Sequence, residues 1–136
     1  MTINRYSGAY VGNWKEIAKA VKDSAGWRCV RCGHHHAPAA GYCLTIHHLT
    51  GQKDNNAWWN LAPLCQRCHL SIQGKVIMAR PWLLPHSEWF KPYLGGWSAW
   101  RYLGLQLTRE EVMESLEYYV GLQMAELEGA TDGDLV

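Results

Sequence analysis

The chain has no run of 18 consecutive apolar residues, which excludes a helical membrane span. Its opening, MTINRYSGAYVGNW, lacks the apolar h-region of a secretory signal. A cytoplasmic protein is therefore expected, and there paired cysteines are more often metal ligands than disulfides. Phenylalanine is nearly absent, at one residue against eight Trp and seven Tyr. No internal repeat or low-complexity block is visible in the 136 residues. Acidic side chains are scarce in the body of the chain: residues 1–106 hold 12 Lys and Arg but 4 Asp and Glu. Residues 107–136 reverse this, with 1 Arg against 8 acids. A basic body suits a polyanionic ligand, and the acidic end would be kept away from it. Apolar residues make up 48%, enough for a core, and the length fits one compact domain.

Asn13-Trp-Lys-Glu16 has capping-box spacing. Trp14, Ile17, Ala18 and Val21 share a face, which predicts a helix over 14–25 closed by Gly26. Lys15, Lys19 and Lys22 lie mostly off that face and read as its solvated side. WRCVRCG makes a tight knuckle whose turn Gly33 can take at positive φ. HHHAPAAG (34–41) is a loop; His34, His35 and His36 are either a polar tip or an opportunistic metal binder. YCLTIHH (42–48) reads as a strand, and WWNLAPLC leads back as a second extended segment, interrupted by Pro63. A helix is expected from near Arg67 to about Met78. Residues 80–104, with Trp82, Trp89, Trp97 and Trp100, suggest an aromatic wrap of turns and short helices over the core; the other reading is a stacking surface for bases. Thr108-x-x-Glu111 is a second capping box. Val112, Leu116, Tyr119, Val120 and Leu127 then give a helix to about Glu128, ahead of a frayed tail. The expected organisation is an arm and helix over 1–26, a core over 27–79, and the wrap with an acidic helix over 80–136.

Four of the five cysteines form two C-x-x-C pairs, Cys29/Cys32 and Cys65/Cys68. The fifth, Cys43, is expected to be a small buried apolar residue. Two knuckles, each offering two thiolates, complete a tetrahedral Zn²⁺ shell. Four thiolates leave no open position, so the zinc would be structural and contribute on the order of 10 kcal/mol to folding. Cys65-Gln-Arg-Cys68-His69 also has the C-x-x-C-H spacing of c-type haem attachment. Haem would require an oxidising compartment and would leave Cys29 and Cys32 without a purpose, so zinc is preferred.

Between the knuckles lie His47, His48 and Asn60, and His69 follows the second. A neutral imidazole can take a proton, imidazoles can hold a divalent cation, and an Asn can fix an imidazole by hydrogen bonding.

Cys29/Cys32, His47-His48, Asn60 before LAPL, and Cys65/Cys68-His69, in that order, resemble the HNH endonucleases over about residues 27–78. The resemblance implies an α+β protein. It has a small ββα-metal core with a four-cysteine zinc site, an N-terminal helix and a C-terminal helical, aromatic extension. It implies His48 as general base, Asn60 as the residue orienting it, and His47 and His69 as ligands of a catalytic ion. Neighbours on a strand face opposite ways, which supports dividing the roles of His47 and His48, though spacing alone does not say which does which. Where members with His at the first ligand position often have a further His one turn after the helix ligand, this chain has Gln73, a weaker neutral donor on the same face. Mg²⁺ or Mn²⁺ is preferred as the ion, with other transition metals open because imidazole suits them. Lys53, Arg67, Lys75 and Arg80 are candidates for phosphate contacts on double-stranded DNA.

The implied activity is metal-dependent hydrolysis of DNA. The alternative is a non-catalytic zinc module that binds nucleic acid or protein and needs neither His48 nor Asn60. The aromatic segment and C-terminal helix are candidates to hold a protein partner or a second copy, by analogy with small phage-encoded or mobile-element HNH proteins.

Overall fold

The computed structural model describes residues 13–72 and 88–133, with side chains through residue 126. The N-terminal arm, Gln73, Lys75, Arg80, Trp82, the expected continuation of the second helix to Met78 and the Leu127 side chain lie outside the described residues. The chain divides into two compact units, Met1–Pro85 and His86–Val136.

The first unit begins with helix α1 (Trp14–Ser24), which buries Ile17. Asn13 stands at its N-terminal boundary, but its side chain makes no capping bond, so the expected capping box does not form. Its backbone, at φ −97° and ψ 21°, is outside the extended region from which a capping side chain reaches back to the first turn. The Asn13 carbonyl instead accepts from Glu16 and Ile17 N–H, both at 3.0 Å. Beyond the helix, Trp27 adopts φ 56°, uncommon for a bulky residue. It is tied there by its own N–H to Lys22 O (2.9 Å) and by Nε1 to Asp23 Oδ1 (2.7 Å).

Strands β1 (Leu44–His48) and β2 (Leu61–Cys65) pair antiparallel, with Leu44 opposite Cys65, His47 opposite Ala62 and His48 opposite Leu61. A short 3-10 turn, Trp58–Asn60, feeds β2. Every residue of β2 is buried. Pro63 does not interrupt it. Ladder bonds from Leu49 to Asn60 and from Gln66 to Cys43 put the Ile46–Pro63 pair at a non-hydrogen-bonded position, where no N–H is required. The Pro63 carbonyl accepts from Val30 N–H at 3.0 Å, docking the first knuckle on the sheet. Helix α2 (Gln66–Ile72) follows β2 without a loop and buries Cys68 and Ile72. Crossed bonds between Gln66 and Cys43 (2.8 and 2.9 Å) fasten its start to the residue before β1.

The second unit contains α3 (Lys91–Leu103), α4 (Arg109–Glu114) and α5 (Leu116–Gly133), with α3 packed on both others. Of the segment 80–104 expected to be turns and short helices, the described residues hold one helix of 13 residues. Its proline and glycines do not break it. Pro92 sits in the first turn, where a missing N–H costs nothing. Gly95 lies against α4 and α5, where a Cβ would come within 2.7 Å of Val112 Cγ1 and 3.0 Å of Leu116 Cδ1. Trp97 is buried in this unit, and Trp89 and Trp100 are half-buried. The Thr108–Glu111 capping box is present in both directions, at 3.2 and 2.9 Å. The helix expected to run on from it breaks at Ser115, whose φ of −140° leaves the helical region. The Ser115 carbonyl then starts α5 by accepting from Tyr118 and Tyr119 N–H, and α5 continues past the expected end to Gly133. Among the described residues no helix is long and apolar enough to cross a membrane.

Candidate active site

The two knuckles converge. Cys29, Cys32, Cys65 and Cys68 place all four sulfurs within 4.8 Å of one another. Tetrahedral Zn–S bonds of about 2.3 Å put sulfurs about 3.8 Å apart. Cys32 Sγ and Cys65 Sγ lie 3.8 Å apart. Each knuckle turns a backbone N–H onto its own first sulfur, Cys32 N to Cys29 Sγ and Cys68 N to Cys65 Sγ, both at 3.4 Å. Arg31 Nη1 adds a contact to Cys68 Sγ at 3.3 Å. Gly33 closes the first knuckle at φ 78°, as its position predicts. Burial opposes ionisation at Cys29, but backbone groups of Cys32, Cys65 and Arg31 outweigh it and bring the thiol to about 7. Burial raises Cys32 and Cys68. Thiolates this crowded call for a cation, and the donor set fits zinc. Cys43 is half-buried and stands outside the cluster.

Beside the thiols, β1 and α2 bring two imidazoles together. His47 Nδ1 and His69 Nε2 are 3.0 Å apart, with the rings edge to face. Two nitrogens bound at right angles to one ion at about 2.1 Å are separated by about 3.0 Å, so the pair fits a shared divalent ion. Burial, then the charges of His69 and His48, lower His47 to about 4, and burial lowers His69. Both rings are therefore neutral at neutral pH, the form that binds metal. Thr45, two residues before His47 and so on the same side of β1, reaches His69 Nδ1 at 2.8 Å.

His48 stacks on Trp14 of α1, with centroids 5.1 Å apart and planes at 29°. Burial, and next the Lys53 ammonium, hold its pKa below the usual imidazole value.

Asn60 is fully buried and holds the loop that follows His48. Its Oδ1 accepts from Thr50 N–H at 2.7 Å, and its Nδ2 donates to Asn55 O at 2.7 Å and Gln52 O at 3.1 Å. Both amide N–H groups are therefore engaged by backbone carbonyls.

Of the basic candidates, Lys53 and Arg67 are described, and both are exposed. Arg67 ties α2 to the loop before β1, donating to Gly41 O and Ala40 O at 3.3 Å and lying over the Tyr42 ring at 4.6 Å. His34 stacks on Tyr42 at 3.5 Å. His36 accepts from Leu44 N–H at 2.9 Å, and among the described residues no metal-ligating cluster includes His34, His35 or His36. Sequence reasoning missed Thr45 and Trp14. Alternation along β1 was a usable signal for Thr45; the Trp14–His48 stack is a tertiary contact with none.

Residues 29–74 match the family model of HNH endonuclease. The chain is similar to Zorya protein ZorE of Escherichia coli, 38% identical over 66 residues. That alignment covers 48% of this chain and 18% of the relative, so the chain spans less than a fifth of that protein's length. No solved structure matches. The segment that matches this family model carries the paired strands, the start of α2 and the four-cysteine cluster, an arrangement consistent with the zinc-knuckle type of HNH domain.

Proposed function

We propose that the chain is a metal-dependent endonuclease that hydrolyses phosphodiester bonds of double-stranded DNA. The observation that carries this reading is the His47–His69 pair, 3.0 Å apart, with His48 the next residue of the same strand, on a scaffold closed by four thiols. His48 acts as general base: its lowered ionisation keeps the ring neutral, and a neutral imidazole takes the proton of the attacking water. Trp14, stacked on the ring, limits its rotation. Asn60 fixes the loop that His48 enters. His47 and His69 would hold the divalent ion, Mg²⁺ or Mn²⁺. When bound, such an ion polarises the phosphate and the leaving 3′ oxygen. Lys53 and Arg67, with Lys75 and Arg80, would contact backbone phosphates. Cys29, Cys32, Cys65 and Cys68 would hold structural zinc. Attack by water at phosphorus with departure of the 3′ oxygen leaves 5′-phosphate and 3′-hydroxyl ends.

The test is a supercoiled plasmid incubated with the zinc-loaded chain and Mg²⁺ or Mn²⁺. Wild type should relax or linearise it, and His48→Ala should lose about 10²- to 10⁴-fold in rate, the range of a general base. A plasmid left equally intact by both proteins, with DNA binding retained, would replace this reading with a non-catalytic zinc module.

A further inference from the structure

We propose that Thr45 sets the tautomer of His69 and so decides which ring nitrogen the chain offers to a metal. The consequence for metal rests on the reading of His47 and His69 as ion ligands given above; the tautomer assignment does not.

Thr45 Oγ1 has two close polar neighbours, Leu64 O at 2.8 Å and His69 Nδ1 at 2.8 Å. A hydroxyl carries one proton and a carbonyl carries none. For both contacts to be hydrogen bonds, the hydroxyl proton must point at Leu64 O. His69 Nδ1 must then carry a proton, which the hydroxyl oxygen accepts. A neutral imidazole protonated at Nδ1 has its lone pair on Nε2. Nε2 is the nitrogen facing His47 Nδ1 at 3.0 Å. The lone pair is therefore presented at the junction of the two rings, where a shared ion would sit.

The arrangement is fixed by the sheet rather than by a loop. Leu64 is the β2 residue opposite Thr45, so the carbonyl that orients the hydroxyl belongs to the ladder itself. His69 sits on α2, which continues β2 directly. Metal-binding histidines commonly donate their second ring N–H to such a partner, and losing that partner weakens metal binding about 10- to 100-fold.

Removing the hydroxyl exposes a trap built into the pair. Without an acceptor for Nδ1–H, the His69 proton is free to move to Nε2. From there it would donate to His47 Nδ1 across the same 3.0 Å. The His69 nitrogen at the junction would then carry a proton and be closed to a metal. Thr45 is thus a positioning residue, acting on the ion only through His69.

The experiment uses the full chain with zinc on the four thiolates, as wild type, Thr45→Val and Thr45→Ser. Valine keeps the shape without the hydroxyl, and serine restores the hydroxyl. Backbone amide spectra check that each variant is folded. Long-range proton–nitrogen NMR of the His69 ring, with no second metal added, should find the proton on Nδ1 in wild type and Thr45→Ser but not held there in Thr45→Val. Titration with Mn²⁺, followed by loss of the free-ion EPR signal, should show about 10- to 100-fold weaker binding in Thr45→Val and near-normal binding in Thr45→Ser. A wild-type His69 protonated on Nε2 would overturn the proposal, as would a Thr45→Val protein that binds Mn²⁺ as tightly as wild type. A wild type with the Nδ1 tautomer that takes up no Mn²⁺ would leave the tautomer assignment standing and overturn the ligand reading of the pair.

Discussion

Replacing Asn60 with alanine removes the side chain that holds the loop after His48. The residue is 0% exposed and makes three side-chain hydrogen bonds, to Thr50 N, Gln52 O and Asn55 O. At about 1 kcal/mol each, these bonds amount to about 3 kcal/mol. Asn55 is itself buried, and its carbonyl, left without a partner, adds about 1–2 kcal/mol of desolvation. The expected loss is therefore about 4–5 kcal/mol, large for one substitution. Asn60→Asp divides the total: the carboxylate still accepts from Thr50 N–H but has nothing to donate to the two carbonyls, so most of the loss should remain. The assay is urea unfolding at fixed free zinc, read by tryptophan fluorescence, with Trp59 at 1% exposure as the buried reporter. A loss under about 1 kcal/mol in Asn60→Ala would refute the reasoning, because one ordinary hydrogen bond would then account for all of it. An aspartate variant as stable as wild type would refute it equally.

Three further outcomes follow from other contacts. Zinc analysis should give one ion per chain at the thiol cluster, and Cys65→Ser or a strong chelator should unfold the first unit, since bound zinc contributes on the order of 10 kcal/mol in small domains; an unchanged melt after metal removal would contradict this. Trp14→Ala should lower the cleavage rate at saturating DNA with little change in DNA affinity, while Trp14→Phe keeps a stacked ring against His48 and most of the rate; equal rates in all three proteins would remove Trp14 from the site. Gly95→Ala should destabilise the second unit by about 1–3 kcal/mol through overpacking against Val112 and Leu116, and a neutral change by thermal denaturation would show that α3 can shift to relieve the contact.

Local signals made the knuckles and the hairpin legible. A C-x-x-C turn brings its own two sulfurs together, so pairing Cys29/Cys32 with Cys65/Cys68 needed only the convergence that the four-sulfur cluster supplies. The Thr108–Glu111 capping box was equally local, and both of its bonds are present. Asn13–Glu16 has the same spacing but fails because the Asn13 backbone is not extended, a property that residue type does not specify. The sequence of α3 misled for a related reason. Pro and Gly ordinarily break helices, yet Pro92 falls where no N–H is needed and Gly95 where α4 and α5 approach closely. In the site, motif order singled out His47, His48, Asn60 and His69. It could not show that the Asn60 amide serves the loop backbone, or that Trp14 and Thr45 each hold an imidazole, because those contacts exist only once the elements pack.

Two metal positions of different chemistry within one small fold are the central claim, and anomalous diffraction from zinc-loaded crystals soaked in Mn²⁺ tests it most directly. The predicted result is a zinc peak among the four sulfurs and a separate manganese peak between His47 Nδ1 and His69 Nε2. Manganese confined to the thiol cluster, or no second peak at the histidine pair, would contradict it.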